Sequence, residues 1–403
     1  MVKLADIHAA RGRIRDRIVN TPCKPSPVFR DLVPCELHFK FENLQRTGSF
    51  KDRGALNKLL LLSDEEKERG VVTASAGNHA QAVAYHASRL GIASTVVMPE
   101  LTPLIKVVNT RGYGARVIQQ GATLSDGLEE VHRLVGEEGL TLVHAFDDEA
   151  VMAGQGTIGL ELLEQVSELD TVVVPIGGGG IISGIALAVK TMKPSVRVVG
   201  VEARAAASAR ASLDAGEIVS IESAETLADG IAVKRVGERT FPVIRELVDE
   251  VVTVEEEEIA RAILLLLERE KTVVEGAGAV PLAALVAGRI ETREGERAVG
   301  MLCGGNIDVN MVSRIIERGL VRDGRLAHLT VKVRDRPGSL SRLTDLIAHM
   351  GANVLDLHHR RGFADISVGD VEIVLQLETR GREHVEEIIG ALEERGVSVE
   401  VDA

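Results

Sequence analysis

At roughly 150 residues per domain, a chain of 403 residues has room for two or three domains with cores of ordinary size, which excludes a lone binding module. Hydrophobic residues make up 45% and charged residues 27%, and 47 Lys plus Arg against 60 Asp plus Glu leave a net charge of −13 that repels phosphate backbones and anionic membranes. With no Trp, two Tyr and seven Phe, stacking platforms for single-stranded nucleic acid are also scarce, so neither nucleic acid nor membrane is expected as a partner.

The opening MVKLADIHAARGRIRDRI alternates charged and apolar residues and lacks the apolar core of a secretory signal. Cys23, Cys35 and Cys303 are odd in number and show no metal-type spacing, so a cytoplasmic setting is expected and no metal site. From about residue 70 the chain repeats a short β-branched run, a glycine or polar break, and a helical stretch. Strands are expected at 70–75, 93–99, 115–120, 140–146, 171–176 and 196–203, with helices at 78–91 and 123–139 among them. The uncharged run from Thr171 to Val189 has the length of a membrane span, but Pro175 and Gly177 to Gly180 interrupt it. A buried strand, a glycine turn and a helix explain it better. Such α/β alternation implies parallel sheets that bind ligands at the carboxyl ends of their strands.

Two glycines in GLVRDGRLA (319–327) mark a boundary after a catalytic body of residues 1–320, with a linker at 321–326. Within the body a smaller, mobile subdomain is expected at about 40–145. Residues 327–403 read strand, helix, strand, strand, helix, strand, the βαββαβ order of a ferredoxin-like domain. His358 and His359 fall mid-strand on opposite faces, which prevents their converging on one metal.

Four features carry chemistry. Lysine is rare, twelve residues against 35 arginines, and Lys51 lies in GSFKDRGA beside the aromatic Phe50. A desolvated amine there would be neutral and nucleophilic, as Schiff-base chemistry requires. PIGGGGIISG puts Gly177, Gly178, Gly179 and Gly180 between a buried strand and a helix start, where bare amides at the positive helix end can wrap a phosphate. SAGNHAQ offers the backbone of Ser75, Ala76, Gly77, Asn78 and His79, plus the Asn78 amide, at another strand-to-helix turn. LCGGN presents the Cys303 thiol at the end of a strand.

Together these features resemble the fold-type-II pyridoxal-phosphate enzymes, and among them the threonine dehydratases, or threonine ammonia-lyases. The resemblance runs collinearly through TPCKPSPVF (21–29), FKFENLQRTGSFKDRGA (39–55), SAGNHAQAVA (75–84), FDDEAVMAGQGTIGLE (146–161), GGGGIISG (177–184), GVEA (200–203), EGAGAV (275–280) and CGGNID (303–308). It implies a tryptophan-synthase-β-like body of two parallel sheets that binds pyridoxal 5'-phosphate. Lys51 would form the Schiff base and take the α-proton. Phe50 would pack near the ring, Asn78 would bond the ring hydroxyl, and the four glycines would hold the phosphate. Residues 75–79 would hold the substrate carboxylate, while Cys303 and Glu275 would face the pyridine edge.

The last segment resembles an ACT domain, with DRPGSL (335–340) as its entry loop. That implies an amino-acid effector, isoleucine or valine, held by Asp335, Gly338, Ser339 and Leu340, and assembly as a homotetramer. Serine racemases carry a serine where this chain has Ala76, which disfavours two-base racemisation. Some relatives bind a divalent cation through an acidic pair near Glu202, and here the second acid is missing. A serine or 3-hydroxyaspartate dehydratase stays open as an alternative, as does an inactive amino-acid sensor, against which the intact Lys51 argues.

Overall fold

The β-branched runs pair as parallel strands in a computed structural model that describes residues 2–122, 124–361 and 367–402. In chain order they are β1 (Cys23–Pro25), β2 (Glu36–Lys40), β3 (Val71–Ala74), β4 (Ser94–Met98), β5 (Arg116–Gln119), β6 (Thr141–Leu142), β7 (Thr171–Pro175), β8 (Arg197–Ala203), β9 (Glu250–Val254) and β10 (Arg297–Met301). One sheet has the order β5-β4-β3-β6 and is wholly parallel. The other has the order β1-β2-β10-β7-β8-β9, parallel except for the antiparallel edge strand β1. β4 and β7 are buried at every position, as expected of strands covered by helices on both faces. The Thr171–Val189 run is β7, a glycine turn and most of the Gly180–Met192 helix. Among the described residues no helix is long and apolar enough to cross a membrane.

The chain divides into two compact units at Ile307/Asp308. The boundary expected at 320 falls inside the Val309–Arg322 helix, and the linker expected at 321–326 covers the end of that helix and the turn after it. Its apolar spacing carries over Gly319, and the helix ends ahead of Gly324, whose φ of +68° turns the chain into the next strand. That strand is β11 (Leu326–Arg334), followed by β12 (Asn353–Arg360), β13 (Asp370–Glu378) and β14 (Ser398–Asp402). They form an antiparallel sheet of order β12-β13-β11-β14, the expected ferredoxin-like topology. β13 alternates buried and half-buried residues, packing Ile373 and Leu375 against Ile347 of the Ser339–His349 helix and Ile388 of the Arg382–Glu393 helix. The helix expected at 123–139 is seen over Leu124–Glu138, and Thr123 lies outside the described residues.

Within the first unit the Lys51–Leu60 helix packs against the Glu149–Gln165 helix so closely that neither Gly54 nor Gly154 has room for a side chain. A Cβ on Gly154 would lie 2.7 Å from the Arg53 carbonyl. The approach brings Arg53, with no exposure, into a bidentate pair with Glu42 (2.8 Å for both bonds) and onto Glu161 (2.6 Å). Lys40 completes the network through Glu161 (2.6 Å) and the Thr21 carbonyl (2.7 Å). Two cations thus face two anions in the core, which is tolerable only while all four are present. Arg53→Ala is expected to cost about 3–5 kcal/mol, because it strands buried carboxylates. Arg11→Ala, which removes the partly exposed Arg11–Glu164 pair, should cost less than about 1 kcal/mol. Urea midpoints of the two variants check the contrast.

Candidate active site

Lys51 is the first residue of its helix, and Phe50, the residue before it, is buried. The Phe50 amide donates to the Cys303 carbonyl at 3.0 Å, tying the helix start to the loop after β10. The Lys51 Nζ lies 5.1 Å from the Phe50 ring centroid and donates to the Ala145 carbonyl at 2.8 Å. Burial pulls its pKa down to about 8, with Glu275 among the groups that oppose the shift.

The Ala145 carbonyl is available because β6 is shorter than expected. The ladder covers Thr141–Leu142 instead of 140–146, since beyond it the chain turns its polar atoms to side chains. Val143 O accepts from His79 Nε2 at 2.9 Å, Ala145 O accepts from Lys51, and His144 Nδ1 accepts the amides of Phe146 and Asp147.

Gly177 to Gly180 connect β7 to the Gly180–Met192 helix. A Cβ on Gly178 would fall 2.3 Å from the Phe146 ring, and one on Gly179 would fall 2.7 Å from Thr240 Oγ1. Gly179 also has a φ of +92°, which glycine alone adopts without strain. The loop therefore keeps bare backbone at a helix N-terminus, the arrangement that suits a phosphate. Gly177 approaches Ile231, and the neighbouring Gly230 lies under Glu275.

Ser75 to Gly77 lead from β3 into the Asn78–Arg89 helix, whose first-turn amides have no intrahelical acceptor. Space above Gly77 is open, since a Cβ there would meet nothing within 4 Å. His79 contributes only its amide to this loop. Its imidazole is buried against Val143, and burial together with the Lys51 charge lowers its pKa to about 3, so the ring is neutral. Ala76 turns its methyl to the apolar cluster of Ala80, Val96, Met98 and Val107.

Glu275 closes the site. Its Oε1 accepts from Asn78 Nδ2 at 2.7 Å, and its amide donates to the Gly304 carbonyl at 3.0 Å. Burial, then the charge of Asp229, pushes its pKa up to about 7. Gly304 has no room for a side chain, because a Cβ would sit 2.1 Å from Glu275 Oε1. Burial, reinforced by Glu275, pushes the Cys303 thiol well above its ordinary value, so it is neutral. Lys51, Phe50, the Ser75–His79 loop, Glu275 and Cys303 thus gather at the carboxyl ends of β3 and β10. The glycine loop joins them through Phe146 and Ile231.

Three residues here were not singled out from sequence. Asn306, inside CGGNID, donates to Thr47 O (2.7 Å) and Asn78 Oδ1 (2.8 Å). Phe146 floors the glycine loop, and Asp229 pairs with Lys106 at 2.6 Å. Asn306 had a motif to flag it. Phe146 likewise opens FDDEAVMAGQGTIGLE, whereas Asp229 is recruited by folding from afar and nothing in its local spacing announces it.

Glu202 accepts the amides of Ala209 and Arg210 at 2.8 Å each, capping a helix. Among the described residues no group of three His, Cys, Asp or Glu is placed to hold a metal ion. In the second unit Asp335 pairs with Arg361 at 3.1 Å, Gly338 (φ +84°) precedes the helix that starts at Ser339, and Leu340 is partly exposed.

The residues fit a phosphate-bearing aldehyde cofactor, with a side-chain-free cradle on one side and a desolvated amine on the other. Residues 14–304 match the pyridoxal-phosphate dependent enzyme family, and residues 327–400 match the ACT domain. The chain belongs to the pyridoxal-phosphate-dependent enzymes and carries an ACT domain after the catalytic body. It is 50% identical over 395 residues to the L-threonine ammonia-lyase of Geobacter sulfurreducens, covering 98% of each chain. Among solved structures it is similar to the threonine deaminase of T.th., with 45% identity and a TM-score of 0.71 over 76% of this chain and 99% of that one. It is also similar to maize serine racemase, with 37% identity and a TM-score of 0.75 over 80% and 98%.

The lowered Lys51 pKa predicts how the cofactor-free protein takes up pyridoxal phosphate. Only the free amine attacks the aldehyde, so the rate should rise with pH through about 8 and level off above it. An ordinary lysine would keep accelerating toward about pH 10.4. Stopped-flow absorbance across that range measures the midpoint, and Lys51→Ala should abolish the covalent phase.

Proposed function

We propose that this chain is a threonine ammonia-lyase that converts L-threonine to 2-oxobutanoate and ammonia, and that L-serine gives pyruvate by the same route. Bound pyridoxal phosphate supplies an electron-withdrawing ring in conjugation with the substrate α-carbon. The glycine loop would hold its phosphate, Asn78 its ring hydroxyl, and Phe50 would pack near the ring. Amides of Ser75 to His79 would hold the substrate carboxylate, and the free Lys51 amine would take the α-proton. The β-hydroxyl would leave as water with the proton that Lys51 has taken, and hydrolysis of the released enamine yields the oxo acid and ammonia.

The observation that carries this reading is the neutral Cys303 thiol. A carboxylate at the pyridine edge would hold a proton on the ring and favour a long-lived carbanion; a neutral partner leaves a weaker electron sink, and loss of the β-hydroxyl competes better. The Geobacter sulfurreducens relative, similar over 98% of both chains, supports threonine as the substrate. Ala76, with no ionisable group and its methyl packed away, argues against a second base on the racemase pattern.

Steady-state assays of 2-oxobutanoate from L-threonine, set beside L-serine and both 3-hydroxyaspartate diastereomers, test the substrate. Threonine should give the highest kcat/KM. Cys303→Ser should retain substantial activity in the same assay, whereas Cys303→Asp should slow or divert elimination. Complete loss in the serine variant would overturn the neutral-partner argument.

The ACT unit is read as an allosteric module for a small amino acid, isoleucine first and valine in opposition, within a cytoplasmic homotetramer. Gly338, with a φ of +84°, turns the chain into the Ser339–His349 helix with the Arg342 guanidinium beside it, a cation suited to the carboxylate of an amino acid. Linkage sets the test: if isoleucine changes threonine affinity by some factor, threonine must change isoleucine affinity by the same factor. Titration calorimetry with and without the other ligand should show that equality. No heat from any common amino acid outside the active site would make the unit an assembly element.

A further inference from the structure

Asn306 donates two hydrogen bonds from one nitrogen, and one of the acceptors fixes everything that follows. Thr47 O, at 2.7 Å, is a backbone carbonyl and can only accept, so Asn306 must present its NH2 group on that side. The second hydrogen of that group points at Asn78, at 2.8 Å, and demands an acceptor there, so Asn78 must present Oδ1. Its Nδ2 is left on the opposite edge, where it donates to Glu275 Oε1 at 2.7 Å with a second hydrogen still to give.

The anchor is itself immobilised. The Thr47 amide and hydroxyl both donate to the buried Asp52, at 3.2 and 2.5 Å, and Asp52 lies 3.3 Å from the buried His86. His86 is on the same helix as Asn78 and faces Asp52 without a hydrogen bond, so the Lys51 segment, the loop after β10 and the Asn78 helix meet around the Thr47 anchor. Asn306 Oδ1 points to Gly48, where a Cβ would fall 2.6 Å away, and the positive φ of Gly48 (+78°) favours the residue that leaves this room.

We propose that Asn306 is a positioning residue that fixes the rotamer of the Asn78 amide, so that Asn78 meets the cofactor as a hydrogen-bond donor and not as an acceptor. The inference rests on the reading of Asn78 as the partner of the ring hydroxyl. An ionised ring oxygen needs a donor, and a flipped amide would turn a carbonyl oxygen to it, exchanging attraction for repulsion. Glu275 favours the same rotamer while it is ionised, but with a pKa pushed up to about 7 it can also protonate and donate, whereas the Thr47 carbonyl behind Asn306 can only accept.

Asn306→Asp tests this, since it keeps the size of the side chain and removes both donors. The expected result is pyridoxal phosphate binding weakened about tenfold or more in equilibrium dialysis. Ionisation of the bound cofactor, followed by its visible band, should move to higher pH because the ionised oxygen has lost a donor. The melting temperature of the cofactor-free protein should move by less than about 2 °C. Asn306→Ala, which deletes the donors without adding charge, gives the same readouts if the aspartate impairs folding. In an Asn78→Ala background, Asn306→Asp should weaken binding no further. Wild-type affinity and titration in Asn306→Asp, beside a weakened Asn78→Ala, would overturn the inference and leave the role of Asn78 standing. Undiminished binding by Asn78→Ala would overturn the underlying reading. A loss that adds in full to that of Asn78→Ala would assign Asn306 a structural role and overturn the proposal as well.

Discussion

A guanidinium with no exposure to water, that of Arg53, sits two residues beyond Lys51 and dictates how the first helix of the site can lie. It must be neutralised where it is, and Glu42 and Glu161 do so from two different elements. Because the Glu42 pair is bidentate, it sets orientation as well as distance. Lys40 joins on the far side of Glu161, so the end of β2 is locked to the same point. Gly54 and Gly154 exist in this setting as spacers that let the two helices come close enough for the pairing. Hydrophobic residues in place of the four charges would serve stability as well or better; a fixed geometry next to Lys51 is what the charges contribute.

The active site relies on the opposite principle, in which buried groups shed charge. Lys51 falls toward neutrality, Glu275 rises toward it, and His79 and Cys303 remain uncharged, with burial as the largest cause in each case. On the proposed reading a substrate carboxylate and a cofactor phosphate would enter a place whose fixed attraction comes from helix amides and bare glycine backbone, which do not titrate. The ionisable residues are left free to exchange protons. The clamp of full charges and the pocket of suppressed ones meet between Arg53 and Lys51, within the first turn of one helix.

Most of the architecture was legible from local pattern. The six strand windows from residue 70 to 203 each hold a strand; β3, β4, β7 and β8 are largely buried parallel strands that read as continuous apolar runs delimited by glycines and polar breaks, while β5 and β6 are half-exposed edges of their sheet. Three of the four chemical motifs follow strand ends, where α/β sheets concentrate function, whereas GSFKDRGA opens a helix well after β2 and is marked by a rare lysine beside an aromatic residue. Failures came where tertiary contacts overrode local signals. β6 stops at Leu142 because the carbonyls after it serve Lys51 and His79, which no reading of LTLVHAF could reveal. The helix through Gly319 continues because one interior glycine costs only about 1 kcal/mol, less than the apolar stripe around it returns. Nothing in the sequence pairs Asp52 with His86, and only the fold shows them facing each other in the core.

The depressed basicity of Lys51 also makes the chain chemically uneven before its cofactor arrives. With a pKa near 8, roughly a tenth of Lys51 is free base at pH 7, against roughly one in three thousand for a lysine of ordinary pKa. Lys51, on which the proposed turnover rests, would therefore be more nucleophilic at neutral pH than a lysine of ordinary pKa toward small electrophiles such as cyanate. Pyridoxal phosphate bound there would act as a protecting group as well as a reagent.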